Sequence, residues 1–248
     1  MGGNSPVLCS FHGTDLHLFS SSYKPTSEIP VILSVGRLVP HKGFTTLIEA
    51  LRLLHQQGMI FRGIIIGQGP MENELNRCIA AAGLHHVVEI LPVCPQRELL
   101  NFYLRASVFV FAGEQPAVGD RDGIPNVIVE AMAMGIAVIT TDVAGISECV
   151  TDTVDGLMIP QQDPTALAAA LRTLLEQPHL AQEFGSAARL KVEREFNAYH
   201  NCRQIAMALR DAIPLEYRDE VAALTPPTSE AAQLQFMLEN LDAVAPIA

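Results

Sequence analysis

Six short apolar runs, spaced regularly along the chain, constrain the fold more than any other feature of this sequence. Most of them are continuously apolar rather than alternating, which is typical of β-strands that are covered on both faces. The runs are Val31–Val35, Gly63–Ile66, Val87–Leu91, Val108–Phe111, Ala137–Thr141 and Leu157–Ile159. The sequence therefore predicts six buried strands.

Helical patterns separate these runs. Apolar residues recur every three or four positions from Phe44 to Leu54, and helices are also expected at about 163–177, 180–195 and 198–212. The alternation of strand and helix predicts an α/β fold with a doubly wound, Rossmann-like parallel sheet and right-handed crossovers. Ligands bind such sheets at the carboxyl ends of the strands, so the loops that follow the strands are where function is expected.

Composition narrows the class of function. The chain has 248 residues, 49% of them hydrophobic, which is enough for a large core, and its net charge of −11 argues against nucleic acid as a partner. No apolar run reaches the roughly 18 residues that span a bilayer, and the N-terminus has no basic segment followed by an apolar one. The five cysteines are far apart, without zinc-type spacing, and are typical of reduced thiols in the cytoplasm.

Two cations lie in the loop after the first predicted strand. The segment GRLVPHKG, Gly36 to Gly43, places Arg37 and Lys42 just before a helix. Cations near a helix start suit a diphosphate, which Arg binds through its guanidinium fork and Lys binds as a point charge. The alternative interpretation is a solvated turn with surface cations.

The next two loops carry weaker signals. The second strand ends in GQGP, where Gly67 and Gly69 would let the backbone approach a ligand closely, although most turns of this kind are plain strand-to-helix connections. After the third strand, the helix from Pro95 carries apolar and aromatic residues, among them Tyr103. That pattern favours packing in the core and at its rim.

The long loop after the fourth strand leads to two carboxylates, Asp122 and Glu130, separated by seven residues. Between them, Gly123 and Pro125 force a turn that opens a helix at about Asn126. Unpaired N–H groups at such a helix start suit a phosphate, and a carboxylate further along can accept ribose hydroxyls. The pair therefore favours a nucleotide sugar. The alternative is an acidic turn that stabilises the helix dipole, plus one surface glutamate.

The segments GRLVPHKG, GQGP and DGIPNVIVEAMAMGIAVITTDVAGISECV, in this order, resemble the donor-binding C-terminal domain of a retaining glycosyltransferase of family 4, group 1. The resemblance runs from about Ile32 to Phe196, and HGTDLHLF at His12–Phe19 is similar to the family's NGVDxxxF segment. It implies one half of a GT-B fold, in which two Rossmann-like domains face each other across a cleft and the C-terminal domain binds the donor.

The resemblance implies roles by position. Arg37 and Lys42 would hold the donor diphosphate, and Glu130 would accept hydrogen bonds from the ribose hydroxyls. Asp122 stands, one methylene shorter, where the family has the glutamate that contacts the transferred sugar, so Arg37, Lys42 and Asp122 are the candidate catalytic residues. The other candidate donor contacts are Gly36, Gly67, Gly69, Val93, Gly123, Ile124, Pro125 and Asn126.

The implied function is transfer of a hexose from a UDP- or GDP-sugar donor to a glycan or glycolipid acceptor with retention of configuration. Neither a metal nor a cofactor is expected. Cations and N–H groups would stabilise the charge that develops on the leaving diphosphate. A bacterial cell-surface polysaccharide is the family-level expectation for the product, and the cytoplasm or the inner face of the membrane for the location.

Three segments are expected. Residues 1–29 would be an interdomain linker, 30–212 the nucleotide-sugar-binding domain, and 213–248 a helical tail. No second set of alternating strands precedes Val31. The acceptor-binding N-terminal domain is therefore expected to be missing, with the chain a fragment or one half of a split enzyme. The cleft surface left exposed would favour a homo-oligomer.

Two other functions remain open at this point. Another GT-B enzyme, such as a sugar-nucleotide epimerase or a phosphorylase, shares the architecture, although the sequence shows no acid/base set for epimerisation. The domain could also bind a nucleotide sugar without catalysis, because a fold does not determine a function.

Overall fold

The computed structural model of the protein describes residues 10–20, 29–115, 123–143 and 145–212. The chain divides into two compact units, one formed by residues 11–199 and the other by residues 1–10 together with 200–248. Most of the second unit, including the expected tail at 213–248, lies outside the described residues. The predicted domain boundaries therefore stay a prediction, and the fold described below is that of residues 11–199.

Six parallel strands form one sheet in the order β3-β2-β1-β4-β5-β6. The prediction of a doubly wound, Rossmann-like parallel sheet is confirmed. Where the strand bounds differ from the predicted ones, they differ by one residue at the start of the strand. The strands are β1 Val31–Val35, β2 Arg62–Ile66, β3 Val88–Leu91, β4 Val108–Phe111, β5 Ala137–Thr141 and β6 Gly156–Ile159.

Helices cover both faces of this sheet, which is why its strands are apolar on both sides. Within β1, Val31 and Leu33 face a core shared mainly with α3, α4, α5 and α7, whereas Ile32 faces a core shared mainly with α1, α2 and α6. The helices are α1 Phe44–Gln56, α2 Glu72–Ala81, α3 Gln96–Tyr103, α4 Asn126–Ala133, α5 Ile146–Cys149, α6 Pro164–Glu176, α7 Pro178–Glu195 and α8 Ala198–Ala212. A 3-10 turn, Pro40–Lys42, precedes α1.

Proline lies at the start of several helices. At α6, Pro164 occupies the first turn and Asp163 caps it, because its Oδ1 accepts a hydrogen bond of 2.8 Å from the Ala166 N–H. At α4, Pro125 is the N-cap, and its side chain makes no capping hydrogen bond to the N–H groups of the first turn. The start of α4 therefore keeps the character of an anion-binding helix end.

The stretch from Phe11 to Phe19 packs within the unit of residues 11–199. Asp15 turns the chain, since its Oδ1 accepts hydrogen bonds of 2.9 and 3.3 Å from the N–H groups two and three residues on. Phe19 is then fully buried in the core, and the Phe11 ring stacks on Phe196 with 4.9 Å between ring centroids. Arg189 of α7 donates to the Phe19 carbonyl. Part of the predicted linker thus belongs to the compact unit.

None of the helices in the described part of the chain is both long and apolar enough to cross a membrane.

Candidate functional site

The candidate residues follow the carboxyl ends of strands, and the two cations and the α4 motif follow β1 and β4 at the centre of the sheet. In the strand order, the chain runs outward on one side from β1 to β3, then returns to the other side of β1 with β4. Ligands of open α/β sheets bind at this kind of switch point. The loop after β1 carries Arg37 and Lys42, and the chain leads from β4 to α4, so both of the most specific sequence motifs follow strands that flank this switch point.

Gly43 fixes the loop after β1 against the loop after β4. It has a left-handed backbone with φ of 67°, and a Cβ atom there would overlap the carbonyl oxygen of Ala112. The Glu114 N–H also donates to the His41 carbonyl at 2.8 Å. Lys42 Nζ lies 5.1 Å from the centroid of the Phe111 ring, at the end of β4. The ammonium group therefore lies where β1 and β4 meet.

Arg37, the second cation of this loop, is exposed. Its guanidinium makes no hydrogen bond or salt bridge with any residue that the structure describes, although its neighbour Gly36 is held by a bond of 3.0 Å from its N–H to the Ile66 carbonyl. The backbone is thus fixed while the charged group faces solvent. The role of both cations toward a diphosphate stays a prediction.

The GQGP turn after β2 has a structural reason for its glycines. A Cβ atom on Gly67 would overlap the Gly36 carbonyl oxygen, and one on Gly69 would overlap the Leu38 carbonyl oxygen. The Leu38 N–H donates to the Gln68 carbonyl at 2.9 Å, so the two loops are joined backbone to backbone. These contacts support the strand-to-helix interpretation. A contact of Gly67 or Gly69 with the nucleoside stays a prediction.

Val93 follows β3, the edge strand of the sheet, and its side chain is 56% exposed. The strand that it follows is two strands away from β1 in the sheet order. Its contact with the base of a nucleotide likewise stays a prediction.

Glu130 is a buried carboxylate, only 9% exposed, on the face of α4 that packs toward α3. Its Oε2 accepts a hydrogen bond of 2.9 Å from the Tyr103 hydroxyl, and its Oε1 accepts one of 3.3 Å from Gln96 Nε2. Burial with two donors does not fit the alternative of a surface glutamate. Both donors are on α3, which the sequence pattern assigned to packing alone.

Tyr103 is the residue of this site that the sequence interpretation missed. Burial, and then the negative charge of Glu130, raise the pKa of its hydroxyl well above the usual value, so the group stays protonated. One signal in the sequence could have drawn attention to it. A buried tyrosine needs a partner for its hydroxyl, and Gln96 lies seven positions earlier, two turns along the same helix face.

The start of α4 lies beside the loop that follows β5. Gly123 is exposed with open space around it, and Ile124 Cγ1 lies 4.0 Å from the place where a Cβ would stand on Gly145. Pro125 is the N-cap and Asn126 the first helical residue, as predicted. Asp122, the first carboxylate of the pair, lies outside the described residues. Within the described ranges, no group of three or more His, Cys, Asp or Glu residues could hold a metal ion.

A family model described as "Glycosyl transferases group 1" matches residues 19–191. The chain is 39% identical over 178 residues to the amylovoran biosynthesis glycosyltransferase AmsK of Erwinia amylovora, covering 72% of this chain and 44% of that protein. It is 37% identical over 207 residues to the putative colanic acid biosynthesis glycosyltransferase WcaL of Escherichia coli K12, covering 82% and 51% respectively. The chain therefore spans about half the length of these relatives.

Solved structures share the fold. Anabaena HepE in complex with UDP matches with a TM-score of 0.71 at 23% identity, over 80% of this chain and 56% of that one. The C-terminal domain of the group 1 glycosyl transferase LpcC of Francisella tularensis matches with a TM-score of 0.65 at 20% identity, over 75% of this chain and 99% of that one. At these identities the likeness concerns the fold alone.

Proposed function

Because the chain belongs to the glycosyl transferases group 1 family, we propose that it is the donor-binding, C-terminal domain of a retaining glycosyltransferase of family 4 with a GT-B fold. An acceptor-binding domain would occupy the remainder of such a protein. Two observations support this. The chain spans about half of its polysaccharide-biosynthesis relatives, and almost all of one structure named as a C-terminal domain is covered by it.

The donor would be a UDP- or GDP-sugar that carries a hexose. HepE, which has the same fold, was solved with UDP, and this supports a uridine nucleotide as the first candidate. The acceptor would be a growing glycan or a lipid-linked glycan, as the names of the amylovoran and colanic acid relatives suggest. The proposed location is the cytoplasm, including the inner face of the membrane, and a homo-oligomer stays a prediction.

One observation carries the proposal: Gly43 packs the loop that bears both cations against Ala112, directly after β4, in the segment that leads to α4. A diphosphate bound there would meet Lys42 and Arg37 on one side and the N–H groups of the first turn of α4 on the other. Glu130 would accept from the ribose, one turn further along the helix. No metal or cofactor is needed in this arrangement, since the protein itself supplies the positive charge.

The chemistry follows from this electrostatic arrangement. As the bond between the anomeric carbon and the phosphate oxygen breaks, negative charge grows on the leaving diphosphate. Fixed cations and N–H donors stabilise that charge without having to reorganise. The acceptor hydroxyl attacks the anomeric carbon from the same face and gives its proton to the leaving phosphate, which retains the configuration. Asp122 would contact the transferred sugar.

The test is Lys42→Ala, with binding of UDP and of GDP to the 248-residue chain measured by calorimetry. We expect affinity for the preferred nucleotide to fall at least about tenfold, because a charge-assisted bond to phosphate is lost. The melting temperature should hardly change, since the ammonium group lies at the rim of the core.

Arg172→Ala is the matched control. It removes one exposed cation from α6, whose guanidinium bonds Gln57 at 3.4 Å, at the C-terminal end of α1 and so at the other end of that helix from Lys42. Nucleotide affinity should be unaffected by it. If Lys42→Ala binds UDP and GDP as well as the unmodified chain does, the proposed diphosphate site is wrong.

A further inference from the structure

The contact between Tyr103 and Glu130 links the proposed ribose-binding carboxylate to the core. We propose that Tyr103, assisted by Gln96, is a positioning residue that orients the Glu130 carboxylate toward the ribose of the nucleotide and thereby sets the preference for ribose over deoxyribose. This inference rests on the proposed function and adds a specificity role to α3.

The geometry makes Tyr103 the main donor to Glu130. Its hydroxyl lies 2.9 Å from Glu130 Oε2 and 3.4 Å from the Val127 carbonyl oxygen. A hydroxyl has one hydrogen to donate, and the shorter, charge-assisted bond to the carboxylate is the stronger of the two. Gln96 donates to the other oxygen, Oε1, at 3.3 Å. Each oxygen of the carboxylate therefore has one donor from α3.

Two donors on two different oxygens fix the plane of the carboxylate. The last torsion of a glutamate side chain has a broad minimum, so an unassisted carboxylate would rotate. An ionised carboxylate has about four acceptor positions, and α3 uses two of them. The positions that remain can accept the ribose hydroxyls in a direction set by the protein.

The Tyr103 ring is itself held in place. The residue is fully buried, and its ring lies edge-on to Phe19 at 6.1 Å and tilted against Phe109 of β4 at 6.0 Å between centroids. The hydroxyl of Tyr103 is therefore anchored to the central sheet through its ring. A site supported by packed side chains holds its polar groups more closely than one exposed on a loop.

The protonation state of Tyr103 agrees with a donor role. Burial, followed by the charge of Glu130, raises the pKa of the hydroxyl well above that of free tyrosine. Under ordinary conditions the group is a neutral hydroxyl, so it donates to the carboxylate rather than repelling it.

The test compares UDP with 2′-deoxy-UDP and 3′-deoxy-UDP, and the GDP series in parallel, by calorimetry on the 248-residue chain. For the unmodified chain, loss of the ribose hydroxyl that donates a hydrogen bond to Glu130 should weaken nucleotide binding about tenfold. Tyr103→Phe should reduce that preference about three- to tenfold, because the carboxylate is no longer oriented. Gln96→Ala should reduce it less, since Gln96 is exposed and its bond is longer.

Ser107→Ala is the matched control for loss of a hydroxyl. Ser107 Oγ accepts from the Val31 N–H at 3.1 Å at the amino ends of β1 and β4, whereas the proposed site is at the carboxyl ends of the strands, so its loss should leave the preference for ribose unchanged. A purely structural role for Tyr103 would lower the melting temperature and leave the ratio of ribose to deoxyribose affinities as it was.

Three outcomes separate the inference from the proposed function. A lower ratio in Tyr103→Phe, with the Ser107→Ala ratio intact, supports the inference. An intact ratio in Tyr103→Phe, while Glu130→Gln lowers it, overturns the inference and leaves the proposed function standing. An intact ratio in Glu130→Gln as well removes the ribose role of Glu130, and the inference with it. If Tyr103→Phe does not fold, Gln96→Ala decides by the same criteria.

Discussion

The two halves of the candidate site are held by different means. The cations, an exposed Arg37 and a half-buried Lys42, lie on a loop whose backbone is fixed by glycine contacts and main-chain hydrogen bonds, such as Gly43 against Ala112. Glu130 lies inside the protein and is fixed by side chains, Tyr103 and Gln96. Backbone geometry therefore sets the position of the positive charges, and core packing sets the position of the negative one.

The difference in how the cations and Glu130 are held fits the different groups that they would bind. A cation that must meet a diphosphate keeps its strength only if no protein carboxylate neutralises it, and the Arg37 guanidinium meets none among the described residues. A carboxylate that accepts from neutral hydroxyls depends instead on direction. Mutations in the cationic loop and mutations around Glu130 should therefore differ in how much they change nucleotide affinity and how much they change the free energy of unfolding.

Gly43→Ala should have the largest effect on stability, because it disrupts the backbone conformation that holds the loop bearing Arg37 and Lys42. The substitution forces a left-handed alanine and also a clash with the Ala112 carbonyl, and we expect a loss of about 3 kcal/mol in the free energy of unfolding. Urea denaturation measures the loss. UDP binding should also weaken, since Lys42 is the preceding residue.

Gly58→Ala serves as the control for Gly43→Ala. Gly58 has a similar φ of 79°, but open space surrounds the position of its missing Cβ. Only the backbone strain remains, at about 1 kcal/mol, and nucleotide binding should not change. Equal costs for the two substitutions would mean that the contact with Ala112 does not hold the loop.

Arg189→Met should have the next largest effect and tests the buried half. The guanidinium donates to the carbonyls of Ala133, at the end of α4, and of Phe19, at 2.5 Å each. Methionine keeps much of the apolar stem but leaves both carbonyls without this donor, so we expect a loss of about 2 kcal/mol in the free energy of unfolding.

The control for Arg189→Met is Arg194→Met on the same helix. Arg194 is exposed, and its bond within the part of the chain that the structure describes is to its neighbour Glu195, so its loss should cost less than about 0.5 kcal/mol. Similar urea midpoints for the two variants would show that the link between α4, α7 and the segment at Phe19 contributes little.

Much of this architecture could be predicted from the sequence, because its signals are local. Strands buried on both faces are continuously apolar, and this gave the bounds of β1 and β4 to the residue. Pro125 marked the start of α4 for a similar reason, since proline fits the start of a helix and not its interior. Periodicity and turn chemistry carry this information within a few residues.

The remainder depends on contacts between distant segments, which periodicity does not encode. Gly67 and Gly69 allow the loop after β2 to pack on the loop after β1, a contact that the GQGP motif alone does not specify, and their contact with a nucleoside stays a prediction. Tyr103 and Glu130 are 27 positions apart, and only the packing of α3 on α4 joins them. An apolar helix face shows that a tyrosine is buried, but not which group its hydroxyl meets.

Arg37→Lys, in the loop that bears the cations, should have the smallest effect on nucleotide affinity and stability. The charge is kept, while the planar fork that can bind two phosphate oxygens at once is lost. We expect UDP affinity to fall about three- to tenfold, with the melting temperature unchanged within about 1 °C, because the guanidinium makes no bond to the described protein. Arg172→Lys, made as the control on α6, should change neither quantity. If Arg37→Lys binds UDP as tightly as the unmodified chain, this position contributes charge alone. The orientation of the diphosphate would then depend on Lys42 and the start of α4.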